Sequence, residues 1–244
     1  MPDLPPPPAG LLDGAALFLD FDGTLVELAE TPAAIRVPPA LGARLARLKR
    51  KLDGRIAIVS GRSLDDLETW LPLPGIAFSG SHGLELRLAD GARLPLSAPV
   101  GLDDARERIE RFAAGVEGLV VETKPAGIAL HYRRAPEVAA RAEAFMAALA
   151  EDHKLAVQRG KAVVELRSEG ANKGDAIRAF MADERFRGAH PVFAGDDLTD
   201  EHGFATVAAL GGAGVLVGPP RASAARYRLE SVAAAAAWLD DPAA

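Results

Sequence analysis

The feature that most constrains this chain is a short apolar run, Ala15-Ala16-Leu17-Phe18-Leu19, that breaks directly into Asp20-Phe21-Asp22-Gly23-Thr24. Such a run is too short for a buried helix. It lacks the alternation of a half-exposed strand, so it predicts a parallel strand over 15–20 covered on both faces. The pattern recurs. Strands are predicted over 56–60 and 76–79, and between them the spacings Leu41, Leu45, Leu48, Leu52 and Leu64, Leu67, Leu71 predict amphipathic helices, the second capped by Ser63. Asp90-Gly91 predicts a hairpin turn between strands over 84–88 and 93–96.

The βα rhythm then stops and later resumes. Residues 101–168 read as helix, strand, strand, helix, strand, strand, with helices over 103–116 and from Pro136 onward, and strands over 119–123, 127–133, 155–158 and 162–166. After them come a helix over 173–182, a strand over 191–194, a helix over 200–207, a strand over 214–217 and a last helix near 232–240. This order predicts an α/β fold: a parallel-sheet core in two segments, 1–100 and 169–244, with a smaller α+β domain inserted at 101–168. Prolines over 5–8 exclude helix or central strand at the start, and residues 1–10 read as a loose arm.

Composition narrows the function class. Lys and Arg number 28 against 34 Asp and Glu, a net charge of −6, which disfavours a nucleic-acid or anionic-membrane binder. The absence of cysteine excludes disulfides, thiolate metal sites and a cysteine nucleophile. No apolar stretch approaches the roughly 20 residues that span a bilayer. The first basic residue is Arg36, so no signal-peptide pattern is visible, and a cytoplasmic monomer is expected.

Asp20 and Asp22 stand at i and i+2 past a strand end, so their carboxylates can share one side at the carboxyl edge of the sheet, where open α/β folds bind ligands. A second acidic group, Asp196, Asp197, Asp200 and Glu201, follows the strand near 192–194. Taken alone, the first cluster also reads as an Asp-rich turn and the second as a helix start. If both converge, their repulsion calls for a divalent cation, and oxygen ligands favour Mg²⁺ over zinc. Ser60-Gly61-Arg62 follows the second strand. Asn172-Lys173-Gly174 opens a helix whose N–H groups and lysine can hold a phosphate. Singly these read as turn and surface residues; the ordered set of four is what points to a site.

In that order, DFDGT, VSGR, NKG and GDDLTDE resemble the four motifs of the haloacid dehalogenase-like phosphatase superfamily. Together with GSHGLE (80–85), KAVVELR (161–167) and GANKG (170–174), they resemble its trehalose-6-phosphate phosphatase family. The resemblance covers everything after the proline-rich arm. Phe21 replaces the family's usual tyrosine, and Ser168 its usual proline.

The resemblance implies a Rossmann-like core with a cap, and a Mg²⁺-dependent phosphatase acting through an aspartyl-phosphate. By that resemblance Asp20 attacks phosphorus and Asp22 is the general acid and base. Asp20, the Asp22 carbonyl and Asp196 hold the metal, and Ser60 and Lys173 bind the phosphoryl group. Asp200 orients a metal-bound water or pairs with Lys173. Thr24, Gly61, Arg62, His82, Asn172 and Asp197 are supporting candidates. Glu122, Lys124, His131, Arg133, Lys161 and Glu165 are candidates for sugar contacts, with cross-strand ion pairing the alternative for Glu122, Lys124 and Arg133. The expected partner is a small sugar phosphate. Sucrose phosphate and mannosyl-phosphoglycerate are alternative substrates, and a catalytically silent sugar-phosphate sensor is the reading from another class. The glycines at 211, 212 and 214 precede a strand and lack dinucleotide-loop spacing. The basic stretch 44–51 reads as a helix face, and His153, His190 and His202 as structural.

Overall fold

The computed structural model describes residues 3–29, 34–94, 102–124, 127–153, 155–160, 162–168 and 172–243. The chain divides into two compact units, Met1–Pro95 with Ala171–Ala244, and Leu96–Gly170. In the first unit lie strands β1 (Ala15–Leu19), β2 (Ile56–Val59), β3 (Ala77–Gly80), β4 (Glu85–Arg87) and β5 (Arg93–Leu94). The second holds β6 (Val120–Lys124), β7 (Gly127–His131), β8 (Leu155–Gly160) and β9 (Val163–Ser168). The first unit resumes with β10 (His190–Gly195), β11 (Ala213–Val217) and β12 (Tyr227–Leu229).

The first unit is built on one eight-stranded sheet of order β12-β11-β10-β1-β2-β3-β4-β5. Strands β12 through β3 are mutually parallel; β4 turns back antiparallel to β3, and β5 is antiparallel to β4. Alternate residues of β1 feed opposite layers, as a period of two requires. Leu17 and Leu19 pack with Leu45 of α1 (Leu41–Lys51), Leu67 of α2 (Leu64–Trp70) and Trp238 of α7 (Val232–Asp240). Ala16 and Phe18 pack with Ile177 and Phe180 of α5 (Lys173–Ala182) and Phe204 of α6 (Glu201–Ala209). Every residue of β1 is therefore buried, which explains its unbroken apolar run. The chain steps from β1 to β2 and β3 on one side, and returns through β10 to β11 and β12 on the other. The gap between β1 and β10 is thus the topological switch point.

The second unit is a four-stranded antiparallel sheet, β6-β7-β9-β8. One face is covered by α3 (Leu102–Ala114) and α4 (Ala139–His153). Ile109 and Met146 of these helices meet Ile128, Leu130, Val164 and Leu166 of the strands.

Three local readings change. The arm expected to be loose over 1–10 is tied down where it is described: the Pro5 carbonyl accepts from the Arg228 N–H at 2.9 Å, Asp3 pairs with the Arg228 guanidinium, and the Gly10 N–H bonds the Ala243 carbonyl at 2.6 Å. β12 escaped the sequence reading because three residues, Tyr-Arg-Leu, carry too little pattern. The strand expected over 127–133 ends at His131, which leaves Arg133 exposed in the following turn.

Candidate active site

Register places the acidic motifs together. Leu19 pairs with Ala194 across the parallel β1–β10 ladder, so Asp20 and Asp196 emerge side by side at the carboxyl edge. The Asp20 N–H bonds the Ala194 carbonyl at 2.9 Å, and Ser60 leaves the end of the next strand, β2. Asp20, Asp22, Ser60, Gly61, Arg62, His82, Lys173, Asp196 and Asp197 all line one cleft of about 630 Å³, a volume suited to a small ligand.

Lys173 is the hub. Its Nζ donates to Asp20 Oδ1 at 2.7 Å and to Asp200 Oδ1 at 2.5 Å, and all three side chains are almost wholly buried. Burial pushes the Lys173 ammonium down, but the two carboxylates outweigh it and hold it above its ordinary value. Burial pushes Asp20 well above the carboxylate range; Lys173 opposes this, and Asp200 and Asp196 add to it. Burial and the nearby Asp200 raise Asp196 to about 6. Asp200 Oδ2 accepts the N–H groups of Asp196 and Asp197, each at 2.9 Å. Asp200 therefore anchors both the lysine and the acidic loop, and of its two expected roles this structure shows the pairing with Lys173.

Asp22 is held by a partner that sequence did not indicate. Arg62 donates from Nε and Nη2 to its two oxygens at 2.7 and 2.8 Å, and from Nη1 to Asp66 at 2.6 Å. These hydrogen bonds, set against partial desolvation, raise the Arg62 guanidinium above its already high value. The i,i+4 spacing of Arg62 and Asp66 was a readable signal; the link to Asp22, forty residues away, was not. Ser60 Oγ is buried and accepts the Arg62 N–H at 3.2 Å.

Asn172 caps the helix that begins at Lys173. Its Oδ1 accepts from Gly174 N at 2.8 Å and Asp175 N at 3.2 Å, and Asp175 bonds back to its N–H. The Gly174 and Asp175 N–H groups are therefore taken by the cap, and the Lys173 side chain presents the positive charge of this turn. Thr24 Oγ1 is buried and has no hydrogen-bond partner among the described residues. Asp197 is exposed and accepts the Leu198 N–H at 2.6 Å, capping the short turn that carries Asp200. His82 sits at φ 58° after Ser81 at 48°, and its ring lies where a Cβ on Gly61 would stand.

In the second unit, Glu122, Ala129 and Glu165 are aligned across neighbouring strands, on the sheet face opposite the helices. His131 shares that face and bonds Glu122 at 2.8 Å. Glu165 is mostly buried beside Arg167. Lys124 belongs to β6, and Lys161 lies outside the described residues. Arg133 has no ion pair among the described residues.

The site fits a metal. Asp20, Asp196 and Asp200 bring one carboxylate oxygen each within 4.8 Å of one another, so this buried triad could hold an ion. Asp196 Oδ1 is buried without a partner among the described residues. Gly23, at φ +76°, leaves the space that the Asp196 carboxylate occupies: a Cβ there would stand 2.1 Å from Asp196 Oδ2.

Comparison with known proteins decides the family. A family model described as trehalose-phosphatase matches residues 18–233. The chain belongs to the trehalose-phosphatase family. This family member is 41% identical over 211 residues to a probable trehalose-phosphate phosphatase of Sinorhizobium fredii, covering 86% of this chain and 80% of that protein. It is 38% identical over 231 residues to the trehalose-6-phosphate phosphatase of Escherichia coli, covering 92% and 85%. The Aspergillus fumigatus trehalose-6-phosphate phosphatase structure superposes with a TM-score of 0.71 at 27% identity, covering 97% of each chain. Among the described residues, no helix of this trehalose-phosphatase is long and apolar enough to cross a membrane.

Proposed function

We propose that this chain hydrolyses trehalose 6-phosphate to trehalose and phosphate, with Asp20 as the nucleophile. One observation carries the reading: in a trehalose-phosphatase, a buried Asp20 carboxylate lies at the sheet switch point, bonded to Lys173. Asp20 would attack phosphorus as the bond to the sugar oxygen breaks, and that oxygen takes a proton from Asp22. The ionised Asp22 then takes a proton from water, whose oxygen attacks the phosphorus of the aspartyl-phosphate and frees Asp20. Arg62 fixes Asp22 by two bonds, and delivery of the proton requires one of them to be given up. Ser60 Oγ, with its acceptor role filled by Arg62 N–H, keeps its own proton for a phosphoryl oxygen. Lys173 keeps Asp20 aimed into the cleft and supplies a fixed positive charge.

Mg²⁺ held by Asp20, Asp196 and the Asp22 carbonyl would supply charge neutralisation between the anionic nucleophile and the phosphate. Asp200, already occupied by Lys173 and two N–H groups, serves as the anchor. Residues 101–168 are read as the cap that contributes sugar contacts, Glu165 foremost, because it is mostly buried on the polar sheet face.

The test is phosphate release from trehalose 6-phosphate, sucrose 6-phosphate, mannosyl-phosphoglycerate and glucose 6-phosphate, with Mg²⁺ and with EDTA. Preference for trehalose 6-phosphate, abolished by EDTA and restored by Mg²⁺, is expected. Preference for another sugar reassigns the substrate. Binding without release from any of them leaves the sensor reading.

A further inference from the structure

The loop that carries Asp196 is gripped from two sides. On its inner side, Asp200 Oδ2 takes the N–H groups of Asp196 and Asp197, and Gly195 is bare where a Cβ would strike that carboxylate. On its outer side, Arg221, in the segment between β11 and β12, donates from Nη2 to the Asp197 carbonyl at 2.8 Å and to the Asp196 carbonyl at 3.4 Å. The same guanidinium pairs through Nη1 with Glu201, whose other oxygen accepts the Ala224 N–H at 2.7 Å. Two consecutive residues thus have their N–H groups bound by an anion and their carbonyls by a cation. The Arg221 and Glu201 side chains are each about three-quarters buried.

We infer that Arg221 is a positioning residue for the metal site: by clamping the Asp196–Asp197 carbonyls it holds the Asp196 carboxylate in the cradle left by Gly23 before any ion arrives. The inference rests on the metal reading above. Without the clamp, crowding among Asp20, Asp196 and Asp200 favours outward movement of Asp196, the least buried of the three. Binding would then include the free energy of drawing it back. Groups one step behind metal ligands commonly shift metal affinity by about 10–100-fold when removed. Charge alone predicts the opposite sign, because deleting a cation near the site should tighten Mg²⁺ binding.

The experiment is calorimetric titration of the metal-free chain with Mg²⁺ alone, for wild type, Arg221→Gln and Arg221→Lys, with thermal unfolding of each metal-free protein alongside. Arg221→Gln is expected to bind Mg²⁺ about tenfold more weakly than wild type. Arg221→Lys, whose single ammonium cannot keep the Glu201 pair and reach the two carbonyls as Nη1 and Nη2 do together, should fall between. Equal Mg²⁺ affinities, with or without a lower unfolding temperature, would reduce Arg221 to a structural residue and overturn the inference. Tighter binding by Arg221→Gln would replace the clamp with a charge effect. If wild type itself binds no Mg²⁺, the metal reading falls and the clamp falls with it.

Discussion

Replacing Lys173 with methionine keeps the buried stem and removes the one cation between Asp20 and Asp200. Its Nζ lies 2.7 Å from one carboxylate and 2.5 Å from the other, and neither has solvent to replace it. Removing one member of a buried pair commonly destabilises by about 3–5 kcal/mol. The lower end applies, since Asp200 keeps the N–H bonds of Asp196 and Asp197. Asp20 bears most of the effect. At roughly 2–4 °C per kcal/mol for a chain of this size, the unfolding temperature should fall by about 6–12 °C near neutral pH. The sign with pH follows from Asp20. Its carboxyl is already raised by burial, and losing Lys173 raises it further. A carboxyl raised in the folded state favours folding below its unfolded pKa, and that contribution is lost as pH rises through the folded value. The penalty should therefore be smaller at about pH 5 than at about pH 7.5. Both tryptophans, Trp70 and Trp238, belong to the catalytic unit, so fluorescence-detected melting follows that unit alone. Turnover should be lost while the variant remains folded. An unchanged melting temperature at neutral pH, or a penalty independent of pH, would refute the buried-triad electrostatics.

Gly23→Ala should abolish Mg²⁺-dependent turnover, because the new Cβ would claim the position of Asp196 Oδ2 and the φ of +76° adds strain; Mg²⁺ titration calorimetry and phosphate release check it. Asp196, raised to about 6 from 3.8, stabilises the metal-free fold below about pH 4, and that contribution is lost as pH rises through 6. Relative to Asp196→Asn, the metal-free wild type should lose melting temperature between about pH 4 and 7, and Mg²⁺ should restore it at the upper pH only. Glu165→Ala should lower kcat/KM on trehalose 6-phosphate by roughly ten- to a hundredfold, as expected for lost hydrogen bonds to a charged group, and leave p-nitrophenyl phosphate nearly unchanged. Equal losses on both substrates would remove Glu165 from sugar recognition.

Asp20, Asp22, Ser60, Lys173 and Asp196 were legible because each directly follows a buried strand or opens a helix, and parallel strands align their carboxyl ends. What escaped depends on distance in space. The Arg62–Asp22 fork joins two loops, and the Arg221 clamp joins the β11–β12 segment to the acidic loop; neither has a spacing to read. The Asn172 cap was not foreseen because the same N–H groups that suit a phosphate also suit a side-chain cap, and here a polar residue directly before the helix takes two of them. The arm at residues 1–10 was misjudged because its prolines exclude helix without excluding packing: Leu4 packs against the core layer of Phe18 and Phe180.

The most direct test of Asp20 as the nucleophile is rapid acid quench of the wild-type enzyme turning over trehalose 6-phosphate with Mg²⁺, followed by mass spectrometry of its peptides. A phosphate adduct on the peptide containing Asp20 is expected. It should appear before steady release and be absent from Asp20→Asn, which should release no phosphate. Steady phosphate release with no adduct at any quench time, or near-wild-type turnover by pure Asp20→Asn, would contradict an aspartyl-phosphate route through this residue.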